Sequence, residues 1–357
     1  MKIIIDPRSS YSYSSFYLWG LKHCFGKSRI SYALKPFKGL ADPGNNMRFI
    51  IVSGKNRKNV FIQADDSNRI SELDYEWSEV YGSVNASFRF SPKESYPKLV
   101  SLAPSFGVRN EESILLAMGG GLIHFMQTWR SVIQREEWSV SLQRNESNGF
   151  KNVKHFFSRR YKGWKNRLPL SVYTNDIQSE DNYIFFLSTL WYSDQYNKND
   201  ETVNLSRARF IRACRSISSL SFEGGMVGEI TPSNHDFHDL VIQERIPFPV
   251  WLEKTKRSAL VFNTPAFWGC HGWKLGEYLA LGKCIISTPL INDLPHPLEH
   301  GINVHFVDNT EQSMVEAIEY ILSHPDYRHT LEAGARSYWE EFGTPEKSLY
   351  LLGLLSD

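Results

Sequence analysis

The sequence has few cysteines and no long apolar run, and each shortage excludes a class of protein. The four cysteines, Cys24, Cys214, Cys270 and Cys284, are irregularly spaced and form no C-x-x-C pair. This spacing argues against a disulfide framework and predicts reduced thiols. No window approaches the roughly 20 apolar residues that cross a bilayer, and the apolar start, MKIIID, is too short for a signal peptide. We therefore expect a cytoplasmic protein.

The sequence also lacks an excess of charge of either sign. Its 40 Lys and Arg residues against 39 Asp and Glu residues give a net charge of +1, so no overall field attracts nucleic acid or a membrane. A hydrophobic fraction of 41% with 22% charged residues is typical of a globular protein rather than a disordered one. A chain of 357 residues is long enough for two domains of roughly 100–200 residues each.

Short strands and helices alternate along the chain, which predicts an α/β fold with a mostly parallel sheet and helices on both faces. The pattern runs through the first half and restarts at YIFFLSTLW (183–191) after a polar, basic stretch. Within the helical pattern of 112–138, three consecutive glycines at 119–121 predict a break. We predict an N-terminal domain over 1–170, a C-terminal domain over 171–340 and a final helix over 341–357 that crosses back to the first domain.

The stretch GWKLGEYLALGKCIIS (272–287) carries the clearest chemical pattern. It reads as a loop, a helix, a glycine stop and a buried strand. Gly272 lets the backbone approach a ligand closely, and a helix N-terminus with Lys274 beside it suits a phosphate group. Glu277, on the same face as Lys274, has the oxygens to bind a ribose diol. The alternative is an exposed Lys–Glu pair on the helix surface.

The order and spacing of this stretch resemble the donor half of GT-B-fold glycosyltransferases. The resemblance covers about 183–343 and includes LPHPLEHGINVHFVDN and the helix containing AIEYIL. It implies two Rossmann-like domains facing a cleft, with the nucleotide-sugar donor bound mainly by the C-terminal domain. On this match Glu277 takes the ribose-binding position. The segment FFLSTLWYSD…NLSRARFIRACR, which resembles a bacterial surface-polysaccharide branch, adds Thr189 at a strand end and Arg207 as a diphosphate contact. A helix-surface charge is the alternative for Arg207.

One departure from the family pattern concerns the sugar contact. Many retaining members carry a second glutamate eight residues before the ribose-binding one, where this chain has Gly269. An inverting transfer would need a general base to take the proton of the acceptor hydroxyl. Asp66, after the strand pattern NVFIQADD, is our candidate, and His124 is a second one. The alternative for Asp66 is that it caps the next helix with Ser67.

We expect neither a metal nor a cofactor, since the donor is itself the substrate in the family that the chain resembles. His235 and His238, in SNHDFHDL, are three residues apart beside two aspartates. Such spacing can hold a metal on a helix, but a polar loop is the simpler interpretation here. Lys, Arg and helix N–H groups would then stabilise the charge that develops on the leaving diphosphate.

The segment 151–167 is a charge anomaly, with seven basic residues, no acidic residue and four interleaved aromatic residues. This composition suits an anionic membrane surface, a solvated helix between the domains, or single-stranded nucleic acid. The small net charge makes nucleic acid the weakest of the three.

The resemblance to GT-B-fold glycosyltransferases implies a hexosyl- or related transferase that is metal-independent. It would move a sugar from a nucleotide-diphosphate sugar to a growing bacterial surface glycan, such as capsule or O-antigen. The expected partners are the donor, a glycan or lipid-linked acceptor, and the inner face of the membrane through 151–167. A non-catalytic two-domain protein that binds a sugar or another small molecule is the alternative.

Overall fold

The computed structural model describes residues 1–133, 153–174, 177–191, 201–243 and 246–355. The chain divides into two units, one of Met1–Val172 with Thr344–Asp357 and the other of Tyr173–Gly343. Each unit contains strands and helices, so the predicted α/β class is confirmed. Among the described residues, no helix combines the length and the apolar character needed to cross a bilayer.

The described strands are, in chain order, β1 (Lys2–Ile5), β2 (Ile30–Tyr32), β3 (Met47–Ser53), β4 (Asn56–Gln63), β5 (Val80–Ser83), β6 (Leu99–Ser101), β7 (Tyr183–Thr189), β8 (Ser221–Val227), β9 (Val261–Asn263), β10 (Ile285–Ser287) and β11 (His305–Phe306). The described α-helices are α1 (Ser15–Phe25), α2 (Glu72–Trp77), α3 (Ile114–Ile133), α4 (Val153–Lys165), α5 (Glu201–Ser216), α6 (Phe248–Arg257), α7 (Trp273–Leu281), α8 (Glu311–Ser323), α9 (Pro325–Tyr338) and α10 (Pro345–Leu351).

The sheet of the first unit has the order β2-β1-β3-β4-β5-β6 and is mixed. β3 pairs antiparallel with both β1 and β4, whereas the β1–β2, β4–β5 and β5–β6 pairs are parallel. The sheet is therefore mostly parallel, as expected, except that β3 runs in the opposite direction and forms a hairpin with β4. Its turn contains Gly54 with a φ angle of 59°, a conformation that glycine adopts readily.

The predicted break at 119–121 is wrong, because α3 runs without interruption from Ile114 to Ile133. Gly121 allows close packing against α4 instead, whereas a Cβ atom added to Gly119 would meet no atom within 4 Å. A Cβ atom added to Gly121 would lie 3.2 Å from Cδ of Arg160 and 3.5 Å from Cε1 of Phe157. At Gly121, packing against α4 thus offsets a helix-propensity penalty of about 1 kcal/mol. Residues 134–138 of the predicted helix lie outside the described residues.

The C-terminal segment returns to the first unit, as we predicted for the last helix. α10 packs against α1, and the contact is tight at Gly20. A Cβ atom at that position would lie 3.0 Å from Cβ of Pro345. Any larger residue at 20 would therefore push α1 and α10 apart.

The strands of the second unit pair in parallel: β7 with β8, and β10 with both β9 and β11. Just before β9, the N–H of Ala259 donates to the carbonyl of Tyr183, at 2.7 Å. This bond joins the starts of β7 and β9, so the two strands run in the same direction. The carboxyl ends of β7, β9 and β10 then share one edge, where such sheets bind ligands.

Three phenylalanine rings hold α5 against this sheet. The rings of Phe210 on α5 and Phe262 on β9 stack with centroids 4.4 Å apart, and Phe186 on β7 meets Phe210 edge to face at 5.2 Å. All three side chains are buried in the core of the unit. Because Arg207 lies three residues before Phe210, this packing directs Arg207 towards the carboxyl end of β7.

Candidate functional site

The helix α7 begins at the carboxyl edge of the sheet with no side-chain cap. Its N-cap is Gly272, with extended backbone at φ −73° and ψ 156°, and it ends at Gly282, which has a φ angle of 60°. A Cβ atom added to Gly272 would meet no atom within 4 Å. The start of this helix therefore faces open space, and its first N–H groups favour an anion there.

Lys274, in the first turn of α7, points back to the end of β7. Its Nζ atom donates a hydrogen bond to the carbonyl of Leu187 and lies 5.1 Å from the ring centroid of Phe186. Burial, followed by the positive charge of Arg207, lowers the pKa of Lys274 to about 7, although the charge of Glu277 opposes this shift. Lys274 is thus a cation that gives up its proton easily.

Arg207 approaches the same strand end from α5. Its Nη1 atom donates to the carbonyl of Thr189, at 2.7 Å, and Thr189 itself is exposed as the last residue of β7. Burial lowers the pKa of Arg207 to about 10, with a smaller opposing effect from Tyr278. The guanidinium group remains charged at neutral pH.

Lys274 and Arg207 are neighbouring cations, and the charge of each acts on the other. Among the residues that the structure describes, neither Lys274 nor Arg207 has a carboxylate oxygen within 4.0 Å of its nitrogens. Both instead donate to backbone carbonyls, of Leu187 and Thr189. Like charges held together at a helix N-terminus repel one another. An anion at this edge would relieve that repulsion.

Glu277 lies one turn further along α7 and is only 6% exposed. Its Oε1 atom accepts a hydrogen bond from the hydroxyl of Tyr173, at 3.3 Å. Glu277 therefore lies near Lys274 on α7, but it is buried and does not belong to an exposed Lys–Glu pair on the helix surface. Through its charge Glu277 favours the protonated form of Lys274.

The loop before α7 contains a residue that the sequence patterns did not point to. Trp268 is 63% exposed and has a φ angle of 52°, the one positive value recorded for a non-glycine residue in the described chain. Left-handed backbone is strained for a bulky residue, and such strain is concentrated at functional sites. The carbonyl of Trp268 accepts from Nδ2 of Asn292, at 3.4 Å. A run such as FWG gives no sequence signal for this conformation.

Gly269 also has a positive φ angle, of 74°. A Cβ atom added there would lie 2.7 Å from Cβ of Ile291. A glutamate at this position would therefore need both a strained backbone and a shift of Ile291. This backbone does not suit the second glutamate of the family pattern.

In the first unit, Asp66 is exposed just after β4. Loss of hydration around its carboxyl group, with the nearby charge of Asp65, raises the pKa of Asp66. The turn itself is closed by Asp65, whose oxygens accept from the N–H of Ser67, at 3.2 Å, and from Nδ2 of Asn46, at 2.9 Å. Because α2 begins only at Glu72, Asp66 does not occupy its N-cap.

The histidines considered earlier lie in different surroundings. His124 is buried, and its ring stacks on Tyr32 with centroids 3.7 Å apart. Burial, helped by the charge of Arg160, lowers the pKa of His124 well below its usual range. His235 and His238 lie in a 3₁₀-helical segment, Pro232–Leu240, which is kinked at Asn234, rather than in a loop. Nδ1 of His238 lies 3.0 Å from the carbonyl of His235. Within the described ranges, no three His, Cys, Asp or Glu side chains converge as metal ligands.

No protein-family model matches the sequence, and no curated protein matches it. Several solved structures match the chain at low similarity. A glycosyltransferase from Rickettsia africae matches with a TM-score of 0.43 and 11% identity, over 82% of this chain and 68% of that chain. Anabaena Alr3699/HepE, solved in complex with UDP-glucose, matches with a TM-score of 0.37 and 11% identity, over 82% and 98%. The C-terminal domain of the group 1 glycosyltransferase LpcC from Francisella tularensis gives 0.32 and 13%, over 46% and 86%. Scores and identities this low do not establish a shared family.

Proposed function

We propose that the chain is a glycosyltransferase that moves a sugar from a nucleotide-diphosphate sugar to a growing bacterial surface glycan. One observation carries this proposal. Lys274 and Arg207 lie together, without a carboxylate within 4.0 Å among the described residues, beside the uncapped start of α7. A diphosphate would supply negative charge to the two cations and acceptor oxygens to the N–H groups at the start of the helix.

In this proposal the donor binds along the carboxyl edge of the second unit. Lys274 and Arg207 would hold the diphosphate, Gly272 would let it reach the helix N–H groups, and Glu277 would bind the ribose diol. Thr189 would shape the pocket at the end of β7. These residues come from β7, α5 and α7, which the shared strand direction brings to one edge.

The chemistry follows from where charge develops. As the bond from the sugar to the diphosphate breaks, negative charge builds on the leaving phosphate, and two fixed cations stabilise it more in the transition state than in the ground state. We propose that this positive charge replaces a metal and that no cofactor takes part. Asp66 would take the proton of the acceptor hydroxyl, and its raised pKa favours that role.

The acceptor in this proposal is a glycan carried on a lipid. The enzyme would then work at the inner face of the membrane and contact it through the segment 151–167. Lys151 and Asn152 lie outside the described residues.

Glu277 gives the sharpest test, because its burial allows two different roles. If it binds ribose, Glu277→Gln should weaken binding of the intact donor by about 1–3 kcal/mol at both pH 6 and pH 8, since a buried hydrogen bond is lost. If it acts only by keeping Lys274 protonated, the loss should appear at pH 8 and not at pH 6. Isothermal titration at the two pH values separates these outcomes. Unchanged affinity at both would remove Glu277 from the donor site.

Asp66→Asn tests the second half of the proposal. We expect turnover to fall by about 10²–10⁴-fold while the dissociation constant of the donor stays unchanged. Asp66→Glu, which keeps a carboxylate, should retain more activity than Asp66→Asn. Full turnover in Asp66→Asn would show that another group takes the proton.

A further inference from the structure

The turn that carries Asp66 is tied down through the residue before it, Asp65. Both carboxylate oxygens of Asp65 accept hydrogen bonds. Nδ2 of Asn46 donates to Oδ2 at 2.9 Å, and the N–H of Ser67 and Nε2 of Gln63 donate to Oδ1 at 3.2 Å and 3.3 Å. Each of these partners is a donor, which is the pattern that an ionised carboxylate accepts.

The backbone of the same turn is held from the neighbouring strands. Oδ1 of Asn46, the residue before β3, accepts from the N–H groups of Ala64 and Asp65, at 2.8 Å and 3.1 Å. Nδ2 of Asn85, which follows β5 and is 1% exposed, donates to the carbonyl of Asp65 at 2.8 Å. Contacts from the ends of β3 and β5 therefore determine where the turn after β4 places Asp66.

Asp65 and Asp66 are adjacent carboxyl groups in different surroundings. Asp65 is bound by donors, whereas loss of hydration, followed by the charge of Asp65, raises the pKa of Asp66. For the stability of the turn alone, a second carboxylate is unfavourable, because like charges repel. Pairs of carboxyl groups whose surroundings separate their affinities for a proton are typical of sites that transfer protons.

Two further ionisable groups lie near the turn, Tyr13 of the loop after β1 and Arg167 of the segment after α4. Burial, followed by the charge of Asp66, raises the pKa of Tyr13, and the charge of Arg167 opposes this shift. Nη2 of Arg167 donates to Oγ of Ser12 at 3.1 Å. At neutral pH the phenol of Tyr13 is therefore protonated and Arg167 is charged, so neither of them can take the proton of an acceptor hydroxyl.

We propose that Asp65 is a positioning residue for Asp66 in the transfer reaction. Asn46 and Asn85 hold the turn, and Asp65 fixes the place of Asp66 and puts a second negative charge beside it. That charge favours the protonated form of Asp66, so it makes Asp66 a stronger base towards a hydroxyl proton. This role in catalysis rests on the proposed function, whereas the effect of Asp65 on the titration of Asp66 is measured without any substrate.

The test combines the titration of Asp66 with the pH profile of kcat/KM. Nuclear magnetic resonance follows the carboxyl carbon of Asp66 in the full chain with isotope-labelled aspartate, and Asp66→Asn assigns its signal. In Asp65→Asn the pKa of Asp66 should fall, because the neighbouring charge is removed. The acidic limb of the profile should move to lower pH with it, since the base acts only when it is deprotonated. Glu94→Gln, which removes an exposed charge of the same unit, should change neither.

An exchange of donor and acceptor separates positioning from a loss of the fold. Asn46→Ala and Asp65→Asn each break the contact between these two side chains, and we expect kcat at the pH optimum to fall by about 10–10²-fold. The double variant Asn46→Asp/Asp65→Asn again places a donor opposite an acceptor. It should therefore recover most of the kcat that Asp65→Asn loses.

An unchanged titration of Asp66 in Asp65→Asn would overturn the proposal. No recovery of kcat in a double variant that melts at the wild-type temperature would also overturn it. If turnover is lost in Asp66→Asn in either case, Asp66 remains the base and only the role of Asp65 falls. Full turnover in Asp66→Asn would instead remove the proposed base, and the positioning role with it.

Discussion

If Lys274 holds the diphosphate as proposed, binding of the donor should depend on pH. In the free protein, burial and the neighbouring Arg207 lower the pKa of Lys274 to about 7. Binding of a diphosphate favours the charged form and so raises that pKa. The affinity for the donor is therefore highest below pH 7, where Lys274 is already protonated. It falls as the pH rises above 7, because Lys274 must then take up a proton when the donor binds.

The expected size of the effect follows from this linkage. With a pKa of about 7 in the free protein, the protonated fraction of Lys274 falls about tenfold between pH 6 and pH 8, which corresponds to about 1.4 kcal/mol of binding free energy. The ligand should be an intact nucleotide sugar, because its diphosphate diester does not titrate in this range. Isothermal titration in buffers of different ionisation enthalpy measures the dissociation constant and the proton uptake together.

Two variants decide whether Lys274 is the group responsible. Lys274→Arg keeps a charge that does not titrate here, so its affinity should stay constant from pH 6 to pH 8 without proton uptake. Lys274→Met should bind the donor weakly at both pH values. Its free energy of unfolding should nevertheless be about 1 kcal/mol higher than that of the wild type, because a partly buried cation beside Arg207 is removed. An equal pH dependence in wild type and Lys274→Arg would refute the reasoning.

Three further substitutions test the loop and the helix start. Gly272→Ala should leave the melting temperature unchanged, because its Cβ meets no atom within 4 Å, but weaken donor binding if the ligand approaches that backbone; a large loss of stability would contradict this. Gly269→Glu should lower the unfolding free energy by about 1–3 kcal/mol, and adding Ile291→Ala should restore part of it, as measured by urea denaturation. Trp268→Gly should raise the free energy of unfolding by about 1 kcal/mol, because glycine adopts the left-handed backbone without strain. The same substitution should weaken donor binding. Unchanged binding would show that the exposed ring does not contact the ligand.

Elements with a strong local signal could be predicted from the sequence. The stretch ETVNLSRARFIRACRS (201–216) predicts a helix by its sequence, and α5 spans Glu201–Ser216. The helix that contains AIEYIL is α8, Glu311–Ser323, and the side chain of Thr310 caps its start by accepting from the N–H of Ser313. For both helices, the apolar spacing and the signals at the helix ends come from residues that are close together in the sequence.

Features that depend on distant partners could not be predicted. The glycines at 119–121 look like a break in the sequence, and only the structure shows α4 packed against Gly121. At the site, spacing and resemblance selected Lys274 and Arg207, but their carbonyl partners on β7 follow only from the strand order. The hydrogen bond from Tyr173 to Glu277 joins residues that are far apart in the sequence.

The most direct test of the proposed function is thermal unfolding against UDP-, GDP-, ADP-, CMP- and dTDP-linked sugars, with free sugars as controls. A ligand at 100 times its dissociation constant stabilises the folded chain by about 2.7 kcal/mol. We predict a rise in melting temperature with one class of nucleotide sugar, none with free sugars, and loss of that rise in Lys274→Met. No rise with any nucleotide sugar, or a rise with a free sugar alone, would contradict the donor site and favour a non-catalytic sugar-binding protein.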